Sequence, residues 1–151
     1  GCAAALISAE PKGVAMESFR AALVPGTSEL IRWHIRQQGF DMVLSGRVPG
    51  AIRAALAHSR DALLDGANDV ELWAVHPGGR TVLDAVEQAF GLSPTAMNAS
   101  RSVLNDCGNM SSGTVMFVLD RIMREEREGR GCAMSFGPGL VAESMIFHMA
   151  A

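Results

Sequence analysis

Positive charge is scarce in this sequence and is not concentrated. Among 151 residues, 13 basic side chains stand against 16 acidic ones, for a formal net charge of −3, and Lys12 is the only lysine. The arginines are spread along the chain. Nucleic-acid-binding domains gather Lys and Arg on one face, so the sequence argues against a nucleic-acid partner.

Long apolar runs are also missing. The longest are strand-sized, such as Ala3–Ile7, far below the ~20 residues that a membrane-spanning helix needs, so we expect no membrane association. The first residues lack the positive charge and the cleavage site of a secretory signal. The sequence opens without an initiator methionine in a segment that predicts a strand. From this we expect an internal fragment or a processed chain.

Cysteines are few, and no familiar catalytic motif is present. Cys2, Cys107 and Cys132 make an odd number without CxxC spacing, which gives neither a zinc knuckle nor a disulfide framework. We therefore expect free thiols, a reducing cytoplasmic location and no metal. Motifs for dinucleotides, P-loop chemistry, HExxH zinc hydrolysis and serine hydrolysis are absent from the sequence.

The composition and the hydrophobic pattern predict a globular α/β protein. With 48% apolar and 19% charged residues, one core can sustain a domain of this size. Turn signals, among them Pro11-Lys-Gly, separate the predicted elements. The predicted strands are Ala3–Ser8, Val14–Leu23, Phe40–Ser45, Val70–Val75 and a terminal hairpin of Cys132–Phe136 and Leu140–Met149. The predicted helices are Ser28–Gln38, Pro49–Leu64, Arg80–Phe90, Ser93–Asp106 and one after Gly113. Alternating strands and helices that end in a hairpin favour a mixed, layered fold.

His76 is the first candidate for chemistry. It follows an apolar strand and precedes Pro77-Gly-Gly and a predicted helix. Ligands of layered α/β proteins gather at the carboxyl ends of strands, and a helix N-terminus favours anions. A histidine that is merely hydrogen-bonded within its turn fits the same pattern, so both interpretations stay open.

Asn109 is the second candidate. It lies in Gly108-Asn-Met-Ser-Ser-Gly, directly before a long apolar helix. Asn and Ser are good helix caps, so this segment can be a simple capping sequence. Alternatively, the Asn amide can donate a hydrogen bond to negative charge that develops in a reaction.

Four blocks in order resemble the type III polyketide synthases, the chalcone and stilbene synthase family. They are Trp73-Ala-Val-His-Pro-Gly-Gly, Met97-Asn-Ala-Ser-Arg-Ser-Val-Leu, Gly108-Asn-Met-Ser-Ser and Phe136-Gly-Pro-Gly-Leu. The resemblance implies the C-terminal half of a thiolase-like αβαβα sandwich with a mixed sheet. Residues 1–9 are then the last strand of the N-terminal half, and residues 10–151 are the C-terminal domain.

The resemblance also implies an activity. In this family a cysteine thiolate takes an acyl group from a CoA starter, and a His and an Asn stabilise the enolate formed when malonyl-CoA loses CO2. By motif, these residues correspond to His76 and Asn109. Acyl-CoA and malonyl-CoA are the implied partners, together with a homodimer, and CoA thioesters need no metal or redox cofactor. The nucleophilic cysteine belongs to the N-terminal half, and no cysteine here matches its motif, so we expect this chain alone to be inactive.

The pocket residues implied by the resemblance differ from those of plant chalcone synthases. Met42 takes the position of a gating Phe, and Trp33 a position that is small in those enzymes. The remaining implied substrate contacts are Ser111, Met134, Ser135 and Phe136. Two alternatives remain: a β-ketoacyl-carrier-protein synthase of the initiating type, and a non-catalytic interaction module.

Overall fold

The computed structural model describes residues 1–10 and 12–150, in six strands, four helices and one short 3-10 turn at Ser111–Gly113. The strands are β1 (Gly13–Leu23), β2 (Ile31–Arg36), β3 (Gly39–Leu44), β4 (Leu72–Val75), β5 (Gly129–Gly137) and β6 (Val141–Ala150). The helices are α1 (Val48–Leu63), α2 (Arg80–Phe90), α3 (Asn98–Cys107) and α4 (Thr114–Arg124).

The main sheet is mixed, as predicted. Its strand order is β1-β6-β5-β4, with β4 parallel to β5 and the other two pairings antiparallel. The predicted terminal hairpin is confirmed as β5 and β6; β5 is longer than the pattern indicated, and β6 is shifted by one residue. The turn that begins at Pro138 joins them.

Both faces of this sheet are covered at β4, whose neighbouring side chains point to opposite faces. In β4, Trp73 and Val75 join a core cluster with side chains of α1 and α2. Leu72 and Ala74 join a second cluster with side chains of α3 and α4. The result is a helix–sheet–helix arrangement that buries β4 on both faces and confirms the layered α/β fold.

Helices α1 and α2 follow the sequence signals closely. Helix α1 begins one residue before Pro49, which occupies the first turn, where a missing N–H costs nothing. Helix α2 has the predicted bounds and ends at Gly91, whose φ of 63° is left-handed. Glycine adopts this conformation without steric cost, and it therefore terminates the helix.

The helix predicted over Ser28–Gln38 is wrong. Residues 31–36 form β2, which pairs antiparallel with β3 in a separate two-stranded sheet. Ile31, Trp33 and Ile35 alternate with polar residues, and this period of two is the strand signal. This short apolar run fits the period of a helix as well as that of a strand, and pairing with β3 stabilises the strand.

Three further expectations need correction or lie outside the description. Residues 3–8 lie in no strand and are exposed, because a strand forms only where its backbone finds a neighbour to pair with. The assignment of residues 1–9 to an N-terminal half stays a prediction.

Helix α3 begins at Asn98 rather than at Ser93, because residues 94–97 form turns. The turn predicted at Pro11 falls outside the described residues.

None of the helices in residues 1–10 and 12–150 combines the length and the apolar character needed to cross a membrane.

Candidate active site

His76 lies directly after β4, and the sheet holds its backbone. Its N–H donates a hydrogen bond of 2.8 Å to the carbonyl oxygen of Met134 in β5. The residue is half-buried, and this burial lowers the pKa of the imidazole, because a charged ring loses hydration there. The ring is therefore neutral at pH 7, with one nitrogen available as a donor.

The turn after His76 keeps the backbone close to the ring. The N–H of Gly78 donates to the carbonyl of His76 at 2.9 Å. A Cβ atom at Gly78 would lie 3.7 Å from Cδ2 and 3.8 Å from Nε2 of the imidazole. A larger side chain at this position would therefore cover the ring edge. Helix α2 begins two residues later, at Arg80.

Asn109 lies in the loop between α3 and α4, and its side chain contacts the turn that follows His76. Its Nδ2 donates a hydrogen bond of 3.2 Å to the carbonyl oxygen of Gly78, while its Oδ1 accepts the N–H of Ser111 at 2.9 Å. The carboxamide has a second N–H that the bond to Gly78 does not use. The loops of His76 and Asn109 are thus joined, and Asn109 remains exposed at the surface.

Hydrogen bonds that the sequence analysis missed hold the Asn109 loop in place. The hydroxyl of Thr114 accepts the N–H of Met110 at 2.8 Å and donates to the carbonyl of Ser111 at 2.7 Å. Thr114 is fully buried. The sequence signal that could have predicted these bonds is the Thr at the first position of α4. Gly1 also lies against this loop, since a Cβ there would come within 2.6 Å of Sδ of Met110.

Trp33 and Met42 are brought together on the β2–β3 hairpin. They are directly opposite each other in the register, and both are exposed, at 40% and 52%. The Trp33 ring packs edge-on against Phe40 with centroids 4.3 Å apart. Ile35 and Leu44 are also exposed on this hairpin. These residues define an apolar hairpin face.

The other implied substrate contacts lie in the Asn109 loop and at the end of β5. Ser111 is exposed and follows Asn109 with a φ of 66°. Ser135 and Phe136 are half-buried at the end of β5. Met134 is only 1% exposed in the α1–α2 side of the core, so its described contact with the site is the backbone bond to His76.

The cysteines have different environments. Cys2 and Cys107 are exposed, whereas Cys132 is buried in β5. Burial raises the pKa of the Cys132 thiol to about 12, so this thiol stays protonated at pH 7 and is a poor nucleophile.

The fold belongs to a known structural class, the thiolase-like fold of type III polyketide synthases. The chain has a TM-score of 0.84 and 33% identity with a crystal structure of PKS-I from the brown alga Ectocarpus siliculosus, over 95% of this chain and 41% of that one. A type III pentaketide synthase from Neurospora crassa gives a TM-score of 0.83 at 27% identity, over 96% of this chain and 43% of that one.

Residues 15–151 match the model of the C-terminal domain of chalcone and stilbene synthases. The chain is 34% identical to bisdemethoxycurcumin synthase from Oryza sativa subsp. japonica, over 98% of this chain and 42% of that protein. The chain therefore belongs to the chalcone and stilbene synthase family and corresponds to its C-terminal domain. It spans about two-fifths of the length of these relatives.

Proposed function

We propose that this chain supplies the enolate-stabilising half of a type III polyketide synthase, which extends an acyl starter with malonyl-CoA by decarboxylative Claisen condensation. The observation that carries the proposal is the hydrogen bond from Nδ2 of Asn109 to the carbonyl of Gly78. It joins the carboxamide to the turn that bears His76.

The chemistry follows from where negative charge develops. When malonyl-CoA loses CO2, the electron pair of the broken C–C bond moves into the thioester carbonyl, and an enolate oxygen forms. The neutral imidazole of His76 and the unused N–H of Asn109 are donors suited to that oxygen. The enolate carbon then attacks the acyl thioester, forms the new C–C bond and expels the thiolate that carried the acyl group.

The acyl-carrying cysteine comes, in this proposal, from an N-terminal half joined to this chain. None of the described cysteines is a candidate for the acyl-carrying role, because Cys132 is buried with a raised pKa and neither Cys2 nor Cys107 lies in the family motif. A nearby thiolate favours the protonated imidazole. His76 can therefore pair with the free thiolate and act as a neutral donor once the cysteine is acylated.

The substrate pocket is formed in part by the apolar hairpin face and by the end of β5. Trp33 and Met42 present exposed apolar surface, and Ser135 and Phe136 stand at the β5–β6 turn beyond the Met134–His76 bond. An acyl chain is apolar, so these surfaces suit it. The proposed enzyme is a cytoplasmic homodimer that uses CoA thioesters without a metal or redox cofactor.

The test is malonyl-CoA decarboxylation by the complete protein that contains this chain. His76→Ala and Asn109→Ala should each lower the rate of acetyl-CoA formation about 10²-fold, the scale for loss of one oxyanion donor. His58→Ala and Asn68→Ala are matched controls, because both side chains are exposed on other elements. Comparison of CoA-bound with carrier-protein-bound malonate separates this function from a β-ketoacyl-carrier-protein synthase. Normal decarboxylation in both site variants contradicts the proposal.

A further inference from the structure

The end of β4, which carries His76, is held from two directions. Strand β4 lies at one edge of the four-stranded sheet in the described part of the chain. The N–H of His76 donates to Met134 in β5 at 2.8 Å. The preceding N–H, that of Val75, donates to the hydroxyl oxygen of Ser100 at 3.1 Å. Two consecutive backbone donors are thus fixed by two different elements.

Ser100 is in an unusual setting for a serine. It lies in α3 and is 0% exposed, and its hydroxyl bonds across to the strand instead of to solvent. Ser100 lies in the first turn of α3, and a serine hydroxyl in a helix normally points to water or bonds to its own helix. A buried hydroxyl that accepts a strand N–H therefore has a specific structural task at this position.

The next residue of α3 binds the element that follows His76. Arg101 donates to Asp84 at 2.7 Å and to Glu87 at 2.9 Å, both in α2. Helix α3 thus contacts the strand before the His76 turn through Ser100 and the helix after it through Arg101. The turn itself is joined to Asn109 through Gly78.

We propose that Ser100 is a positioning residue for His76, whose hydroxyl fixes the backbone at Val75 and thereby the place of the imidazole relative to Asn109. The catalytic consequence rests on the proposed function. A donor helps an enolate only when it already lies where the oxygen charge forms, and a small misplacement of a reacting group costs up to about 10²-fold in rate. Ser100 itself touches neither substrate nor the reacting atoms in this proposal.

The test compares Ser100→Ala with Ser144→Ala in the complete protein. Ser144 is the matched control, because it is also buried and its hydroxyl donates to a backbone carbonyl, that of Leu63 at the end of α1, at 2.5 Å. Both variants lose one buried side-chain-to-backbone bond. Hydrogen–deuterium exchange, read by mass spectrometry, reports the local effect, and malonyl-CoA decarboxylation reports the catalytic one.

Ser100→Ala should speed exchange about tenfold in the peptide that contains Val75 and His76, the change expected for loss of one hydrogen bond. It should lower kcat for decarboxylation about tenfold and leave KM for malonyl-CoA within about twofold, because the lost positioning acts on the transition state. Ser144→Ala should leave kcat and that peptide unchanged. If Ser100→Ala does not fold, Ser100→Cys has nearly the same shape with a weak acceptor and is measured instead.

Two results overturn the inference: unchanged exchange around Val75, or faster exchange there with normal kcat. Failure of the proposed function is a separate outcome, seen when His76→Ala itself decarboxylates normally. In that case faster exchange in Ser100→Ala still shows that the hydroxyl holds the strand end, but the catalytic part of the inference is lost.

Discussion

Gly131 allows a buried aromatic ring to lie across the sheet, and replacing it tests the packing of the α3–α4 side of the core. Gly131 in β5 is directly opposite Phe147 in β6, and Phe147 is 0% exposed. A Cβ at Gly131 would lie 2.1 Å from Cζ of that ring and 2.4 Å from Cε2. Gly131→Ala therefore forces the two groups apart by about 1 Å before they reach even the shortest distances that real Cβ atoms show.

The cost follows from the packing. A fully buried ring has no free space to move into, and overpacking of a core typically costs about 1–3 kcal/mol. We expect Gly131→Ala to lie at the upper end of this range.

A double-mutant cycle identifies the cause. Phe147→Ala alone removes a buried ring and should cost about 3–5 kcal/mol. Together the two substitutions should cost less than the sum of the single effects, because the methyl group then occupies part of the vacated space. Urea unfolding of the complete protein measures all three variants. Gly50→Ala is the control, since Gly50 lies in α1 with nothing within 4 Å of an added Cβ. A Gly131→Ala variant as stable as the wild type, or strict additivity in the cycle, refutes the reasoning.

Two more predictions concern pH and the isolated chain. Burial lowers the pKa of His76 in the folded chain. The unfolded chain therefore takes up a proton at this residue at a higher pH than the folded chain does. As a result, the free energy of unfolding falls as pH drops from about 6.5 through the lowered pKa. Urea midpoints of the complete protein, with the proposed acyl-carrying cysteine alkylated so that no thiolate raises the pKa of His76, should fall more from about pH 7.5 to about pH 5 for wild type than for His76→Gln; equal slopes contradict this. Because apolar residues such as Trp33 and Phe40 are exposed, residues 1–151 alone should aggregate, stay molten or dimerise, and a sharp monomeric two-state melt in calorimetry argues against it.

Elements with clear start and stop signals could be predicted from the sequence. Helix α2 has glycines on both sides and an apolar stripe, Val82, Val86 and Phe90, at a helical spacing. Its ends are determined by local chemistry, above all by the left-handed Gly91. The β5–β6 hairpin is similar, because its Gly-Pro-Gly segment permits little other than a turn.

Strand β3 was predicted, but β2 was not, because most of the apolar side chains that β2 shares with β3 are exposed within the described residues. One face of a helix is also consistent with the spacing of Leu30, Ile31, His34 and Ile35. In the structure, Trp33 and Ile35 share an exposed face with Met42 across the ladder. A strand whose apolar side lacks a core against it has no packing to distinguish its period from that of a helix.

The site was predictable only in part. His76 could be placed from the strand-to-helix turn, but its proximity to the Asn109 loop depends on a bond between residues 31 positions apart, and periodicity contains no information about such a contact. The resemblance to a family supplied the pairing. Ser100 was missed because pattern analysis follows apolar residues, and a serine within a helix is normally assigned to its polar side.

The capping interpretation of Asn109 is wrong in detail, since the cap positions of the 3-10 turn and of α4 are Met110 and Gly113, but the local bond that Asn109 makes is compatible with a catalytic donor. Oδ1 accepts the N–H of Ser111, as in an Asx turn before a helix, and this bond sets the rotation of the carboxamide. With the oxygen fixed on one side, Nδ2 must face the other, where it meets the carbonyl of Gly78. This turn therefore orients the donor. An aspartate at this position would keep the turn but lose both N–H groups, so Asn rather than Asp is required if the amide is to serve the chemistry proposed for it.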